Sequence, residues 1–589
     1  MRVSRKGVTA LAVAAIGSIA LSACAGSSNN SSGGSGGGGG GTKSGGSVIY
    51  GADQFPDNFQ PDINAGNSTA TANADVRVLP SAFLTLPNFQ PQYDKELLTA
   101  EPTVTSKSPY TVQYKINPKA VWSDGKPIDA KDFIFAWKAN NPTDKDYGGT
   151  GSKLGANACQ TLGGNPYNYI TSVTGSDNDK TVTAVFSKPY ADWKQFFSTL
   201  LPSHLFVKST PAATCKAFNT GWPSTKVPPI SGGPWTISSV DANQKLITET
   251  RNEKYWGKKP ILSKLIFKVV STGSQDLQQA LQNNEVQVIY PQPQLDLVKL
   301  IDGVTSAKAE TNFGLSFEHI DFNTENQFLK DPVLRKAIAL SIDRADLVKR
   351  TVKQFDNRAQ VLGNRLFVNN QQGYANNAPA DYDKLNVGKA KSMLQAAGYK
   401  LSGGKLTKGG KAVSLNIVTT TNNQLRQQTE EVVANDVKAI GIKLDIKQVD
   451  ANTFFGDYKT QGSLNAGDCD LCLFAWVATP YLSSNFSIYQ CVPDGPDGKP
   501  DRSQELQNAG LGCDKKVDTL MQQAQFAPDE ATAQGLWNQV DKDLWGDMFT
   551  LPLYQKPTYI AFNKKYQGIG DNATSQGPLW NSETWALKQ

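Results

Sequence analysis

The chain has 589 residues, 39% of them hydrophobic and 19% charged, with a formal net charge of +6. That length exceeds what a single compact core organises, so at least two lobes are expected. The charge falls to +3 when Arg2, Arg5 and Lys6 are set aside with the leader described next, and no basic stripe stands out, so a nucleic-acid partner gains no support.

The leader reads as an export signal: Arg2, Arg5 and Lys6, an apolar stretch over residues 8–20, then Leu21-Ser22-Ala23-Cys24. The stretch is short for a bilayer span, which favours a cleaved signal over residues 1–23. The four residues ending in Cys24 look like a bacterial lipobox, which would make Cys24 a lipidated N-terminus carrying a diacylglyceryl thioether and further acyl chains such as palmitate. An ordinary signal with an incidental cysteine is the alternative. Residues 25–46 are almost entirely Gly, Ser and Asn, a flexible tether with a reach on the order of 25 Å. A tether and several acyl chains suit a body held on the outer face of the cytoplasmic membrane.

From residue 47 onward the composition is that of a folded body. Strand-like runs rich in β-branched and aromatic residues fall at 48–52 and 110–117, a helical period at 130–139, and further strands at 180–186, 235–240, 245–250 and 264–270. Helical periods follow at 274–283, 331–340, 387–396, 424–439 and 529–545. Asp331 followed by Pro332, and Asp343 with Asp346 three residues on, read as helix starts. Strands and helices mix throughout, which points to an α/β body.

Six cysteines remain after Cys24 in a chain read as exported, where thiols usually pair. Proximity and loop-rich surroundings favour Cys159 with Cys215 and Cys491 with Cys513, each worth about 2–4 kcal/mol. Cys469 and Cys472 form a C-x-x-C, but residues 470–476 read as a buried strand. Three residues apart on a strand, the two sulfurs would face opposite sides, and a redox site is not expected. The only histidines are His204 and His319, too far apart in sequence to form a metal pair on one helix, and there is no Gly-x-Ser-x-Gly elbow or phosphate loop. No catalytic centre, metal or cofactor is expected.

Four blocks taken together resemble the extracytoplasmic solute-binding family that includes dipeptide-, oligopeptide- and nickel-binding proteins. The first runs from Tyr114 through Trp122-Ser-Asp124-Gly125-Lys-Pro127 to Asp132-Phe133, and the second is Leu201-Pro202-Ser-His204. The third joins Gly232-Gly233-Pro234-Trp235 to Arg251-Asn252 and Tyr255-Trp256-Gly257; the fourth joins Phe322-Asn323 to Asp331-Pro-Val333-Leu-Arg335 and Ser341-Ile-Asp343-Arg344. Nearly all of these positions read as scaffold, such as a tight turn at Asp124-Gly125 with Trp122 free to pack on Phe133 and Trp137.

The resemblance implies a type II, cluster C periplasmic-binding-protein fold: two lobes, a hinge and an extra subdomain in lobe one. By motif order, lobe one is expected over 47–85, 205–316 and 548–589, the inserted subdomain over 86–204 and lobe two over 317–547, with crossings near 317–323 and 550–554. It further implies capture of an oligopeptide or related solute between the lobes, delivery to an ABC permease with its ATPase subunits, and a monomer. A non-transporting role as a cell-envelope regulator or scaffold is the alternative.

In peptide-binding relatives a lobe-two strand ends in Trp-x-x-Asp, whose carboxylate pairs with the peptide ammonium. The matching stretch here is Trp476-Val-Ala-Thr479-Pro-Tyr481, with threonine in place of that aspartate. A hydroxyl cannot neutralise a buried ammonium. Trp476, Thr479 and Tyr481 are candidate cleft residues, as are Gln54 and Phe55 after the first strand and Tyr554 after the second crossing. Asn323 is expected beside the first crossing, orienting backbone.

Overall fold

Residues 42–162, 166–354, 356–382, 384–504 and 507–589 are described by a computed structural model. The export signal, Cys24 and most of the tether lie outside the described residues. The body begins a little before residue 47, because Thr42 and Lys43 pair with Lys588 and Leu587 in a small sheet at the C-terminal end of the chain.

The main strands are β1 (Ser47–Ala52), β2 (Trp235–Asp241), β3 (Leu246–Arg251), β4 (Lys264–Val269) and β5 (Val288–Ile289). They continue with β6 (Ala307–Phe322), β7 (Ser414–Thr420), β8 (Lys443–Val449), β9 (Leu471–Val477) and β10 (Thr550–Asn563). All ten form one mixed sheet in the order β8-β7-β9-β6-β10-β5-β1-β4-β3-β2. β6 and β10 are its longest strands, 16 and 14 residues, and pair antiparallel along most of their length.

The β6–β10 register breaks between Phe313 and Phe317, just upstream of the expected first crossing. The local sequence explains the break. Pro557 has no N–H to give the ladder, and a Cβ at Gly314 would collide with the Ala573 carbonyl, so only glycine fits there. Beyond the break, Ile320, Phe322, Leu551 and Leu553 enter a core shared with helix Pro332–Ser341. Before it, Ala307, Tyr559 and Ala561 belong to a different core. One pair of strands therefore serves two lobes.

A four-stranded antiparallel sheet of Thr103–Lys107, Tyr110–Lys115, Thr181–Phe186 and Ile170–Ser176 makes the extra subdomain, with helix Ala130–Asn140 packed on it. Its core is dense in aromatics, among them Tyr114, Trp122, Phe133, Phe186 and Phe197. The first sequence block is scaffold for a visible reason. Asp129 and Asp132 form a capping box on that helix. The Asp132 carboxylate also accepts from Trp122 Nε1 at 3.1 Å and from Ser203 at 2.8 Å, and His204 meets Asp124 at 2.8 Å. Asp331 and Asp343 cap their helices as the sequence predicts. The helix expected over 424–439 spans Gln424–Asp436 and tightens to a 3₁₀ turn that ends at Gly441, φ +79°.

Disulfides join Cys159 to Cys215 and Cys491 to Cys513. A third joins Cys469 to Cys472, contrary to the expectation that these sulfurs face opposite sides. β9 begins at Leu471, so Cys469 lies in the bend before it, where strand alternation does not apply.

A fully buried ion pair fixes the return strand. Arg365 donates to Asp541 at 3.1 Å and twice to the Thr550 carbonyl, and its guanidinium lies 4.3 Å from the Trp545 ring centroid. Replacing Arg365 by Met strands the Asp541 charge. It should cost about 3–5 kcal/mol, read from the denaturant midpoint. Adding Asp541→Asn should recover part of that loss.

Candidate functional site

The parallel strands β1, β4 and β5 end in one direction, and ligands in open α/β sheets collect beyond such strand ends. Asp53 follows β1, Thr272 and Gly273 follow β4, and Pro291 to Gln294 follow β5. Asn422 and Asn423 follow β7 in the other lobe. All of them line one cavity of about 610 Å³, within the size range of small-solute sites. Its floor is Glu318 of β6 with Tyr554 and Lys556 of β10; Glu318 and Tyr554 pair just beyond the register break and Lys556 lies within it. Three helices start at its rim: α1 (Ser274–Gln282), α2 (Leu295–Asp302) and α3 (Gln424–Asp436).

The walls are rich in amides, including Gln292, Gln294, Asn422, Asn423 and Gln427. Such groups both donate and accept, which suits a solute with many polar atoms. Charge is divided across the space. Asp53 and Asp296 stand exposed on the lobe-one wall. The floor carries the buried Glu318 carboxylate, which Arg426 contacts from Nε and Nη2 at 3.2 Å and Lys556 at 3.7 Å. Burial pushes the Glu318 carboxyl up, but Arg426 and Lys556 outweigh it and hold it below the usual range.

Of the residues expected in the cleft, Tyr554 is on the floor. Gln54 and Phe55 instead border a small dimple beside Tyr50 and Phe267 of the lobe-one core, and Asp53 is the residue of that loop that reaches the cavity. Trp476 lies on the opposite face of the sheet from Glu318, where its ring stacks on His319 at 5.7 Å and meets Phe474 at 5.0 Å. Neither His319 nitrogen nor Trp476 Nε1 has a hydrogen-bond partner, although His319 Nε2 lies 3.5 Å from Asp321. The Thr479 hydroxyl closes a local turn with Tyr481, accepting from its N–H at 3.2 Å. Asn323 holds backbone, donating to the Gly467 carbonyl at 3.0 Å.

Sequence reading missed Asp53, Glu318, Arg426 and Lys556. A signal was present at Lys556, a charged residue inside an otherwise neutral strand run, where a charge needs a partner.

A match to bacterial extracellular solute-binding proteins, family 5, covers residues 95–497. The chain belongs to this family. The oligopeptide-binding protein OppA of Mycobacterium tuberculosis is 29% identical over 535 residues, covering 90% of this chain and 83% of that protein. The oligopeptide-binding protein AppA of Bacillus subtilis is 26% identical and covers both chains fully. Among solved structures, the periplasmic EDTA-binding protein EppA superposes with a TM-score of 0.83 at 28% identity, over 93% of this chain and 98% of that one.

Within this solute-binding protein, Tyr481 joins a second contact between the halves. Its hydroxyl donates to the Lys194 carbonyl at 3.0 Å, and Ser483 N–H donates to Asp192 at 2.7 Å. Gln525 donates to Tyr190, and the Phe526 ring sits edge-on to Tyr169 at 5.0 Å. Burial pushes the Asp192 carboxyl up to about 6. A carboxyl raised on folding stabilises the contact most at low pH and loses that contribution as pH climbs from near 4 through about 6. Amide exchange at Ser483 should therefore be slower at pH 5 than at pH 7.5, after correction for intrinsic rates. Asp192→Asn should flatten that dependence.

Proposed function

We propose that the protein is the solute receptor of an ABC importer, capturing an oligopeptide or related polar solute between its lobes and handing it to the permease and its ATPases. The observation that carries this reading is the amide-lined cavity, walled by strand ends of both lobes and floored by the two strands that join them. A solute there touches both halves at once and stabilises the closed form by the difference in contact. The oligopeptide-binding names of the two relatives described above favour transport over a scaffolding role in the envelope. In this reading lobe one comprises 47–85, 205–316 and 548–589, the subdomain 86–204 and lobe two 317–547. The receptor works as a monomer, lipid-anchored through Cys24 on the outer face of the cytoplasmic membrane, and performs no catalysis.

Thr479 is occupied in its own turn, so the peptide ammonium needs another acid. Asp53, exposed on the cavity wall, takes that role. Trp476 and Tyr481 act as support for the strand end and the lobe contact.

Titration calorimetry with mixed free-amino tri- to pentapeptides tests the reading. Binding to the wild type is expected, and no response to any peptide would sink it. Asp53→Asn should weaken free-amino peptides about 10- to 100-fold, the worth of one charged hydrogen bond, while N-acetylated peptides should bind both forms alike. For the anchor, Cys24→Ser should leave the precursor unprocessed or release the protein into the medium, as seen by fractionation and immunoblotting.

A further inference from the structure

The floor of the cavity holds more positive charge than its own structure needs. Glu318 alone satisfies Arg426, through contacts from Nε and Nη2 at 3.2 Å. Arg426 also donates to Thr420 at 3.0 Å. Lys556 is a second cation on the same carboxylate, more distant at 3.7 Å. Of the three side chains Lys556 is the one most open to the cavity, 16% exposed against 3% for Glu318 and 8% for Arg426. Arg426 sits in the first turn of α3, at the positive end of the helix dipole, where a cation is disfavoured. Two cations and a helix N-terminus thus contact one carboxylate in a largely dry setting; Glu430, one turn along α3, also feels Arg426, but burial pushes its carboxyl up to about 7 and its bond is to Gln448, not to the cluster.

A purely structural ion cluster would be balanced, since a surplus buried charge costs folding energy. Burial indeed pushes the Lys556 ammonium down, Glu318 pulls it back up, and Arg426 pushes it down again, with a net lowering. The opposing carboxylates, Asp53 and Asp296, are on the other lobe and exposed, and do not contact the cluster. Position matters as well. Lys556 falls in the unpaired stretch of β10 between Gln555 and Pro557, opposite the β6 break, so its side chain is not committed to either regular half of the sheet.

We infer that Lys556, backed by Arg426 and Glu318, is the anchor for a carboxylate of the captured solute. This rests on the reading of the cavity as the solute site. With the ammonium end taken by Asp53, the solute would lie with its acid end on the hinge strands and its amino end under lobe one.

The test uses the protein from Thr42 onward as wild type, Lys556→Gln and the exposed control Lys564→Gln. The probes are tri- to pentapeptide mixtures with free carboxyl ends, the same mixtures amidated, and citrate. Calorimetry should give the free-acid peptides at least tenfold tighter binding than the amides in the wild type and in Lys564→Gln. In Lys556→Gln that preference should vanish while the amides bind as before. Thermal melts of the variant, in which Glu318 keeps Arg426, separate loss of anchoring from loss of folding. Equal binding of acids and amides to the wild type overturns the anchor and leaves the receptor reading standing. Binding of citrate alone, lost in Lys556→Gln, overturns the peptide reading and keeps the anchor. Binding of none of the three overturns both.

Discussion

The pairing of β6 with β10 is the constraint on which the rest of the molecule depends. Both strands have to be long enough to serve two cores, and each half of the pair has to satisfy a different set of neighbours, β9 above and β5 below. A regular ladder of that length would lock the halves into one rigid sheet. The interruption at Gly314 and Pro557 gives up a few backbone hydrogen bonds and gains a place where the strands can bend without unpairing their ends. The cavity floor, Glu318, Tyr554 and Lys556, is placed relative to that bend.

Charge placement follows the same logic. Burying Glu318 on a hinge strand is costly, and Arg426 from α3 compensates it across the lobe. The pair ties the first turn of a helix to the floor of the cavity. A change in what sits on the floor is therefore felt by the helix that forms one wall. Among the described residues the lobe-one wall has no comparable buried ion pair; Asp296 is exposed there, and Asp53, with an exposed surface, is nonetheless partly desolvated, which pushes its carboxyl up.

Much of the fold was legible because it rests on short-range rules. Asp331 before Pro332 announces a helix start, and Asp343 announces another. The run from Trp122 to Asp132 is legible as a scaffold block, and the structure supplies its reason in the indole and Ser203 bonds to one carboxylate. The cavity was less legible. Gln54 and Phe55 differ from Asp53 only by where a strand stops and its loop turns, a matter of one or two residues that periodicity does not resolve. The Cys469–Cys472 bridge was hidden by the same uncertainty at the start of β9. Glu318 and Arg426 are 108 residues apart, and Lys556 is further still. No local pattern pairs them; only the order of strands in the sheet does.

The contact around Asp192 and Ser483 joins segments whose neighbours belong to different cores. Bending at the strand break alone cannot separate the halves while Tyr481, Ser483 and Gln525 remain bonded to the subdomain. How long the molecule holds its cargo is then not a property of the cargo alone. A weakly held solute can still have a long residence time if the catch is slow to release, because the same contact gates entry as well as exit.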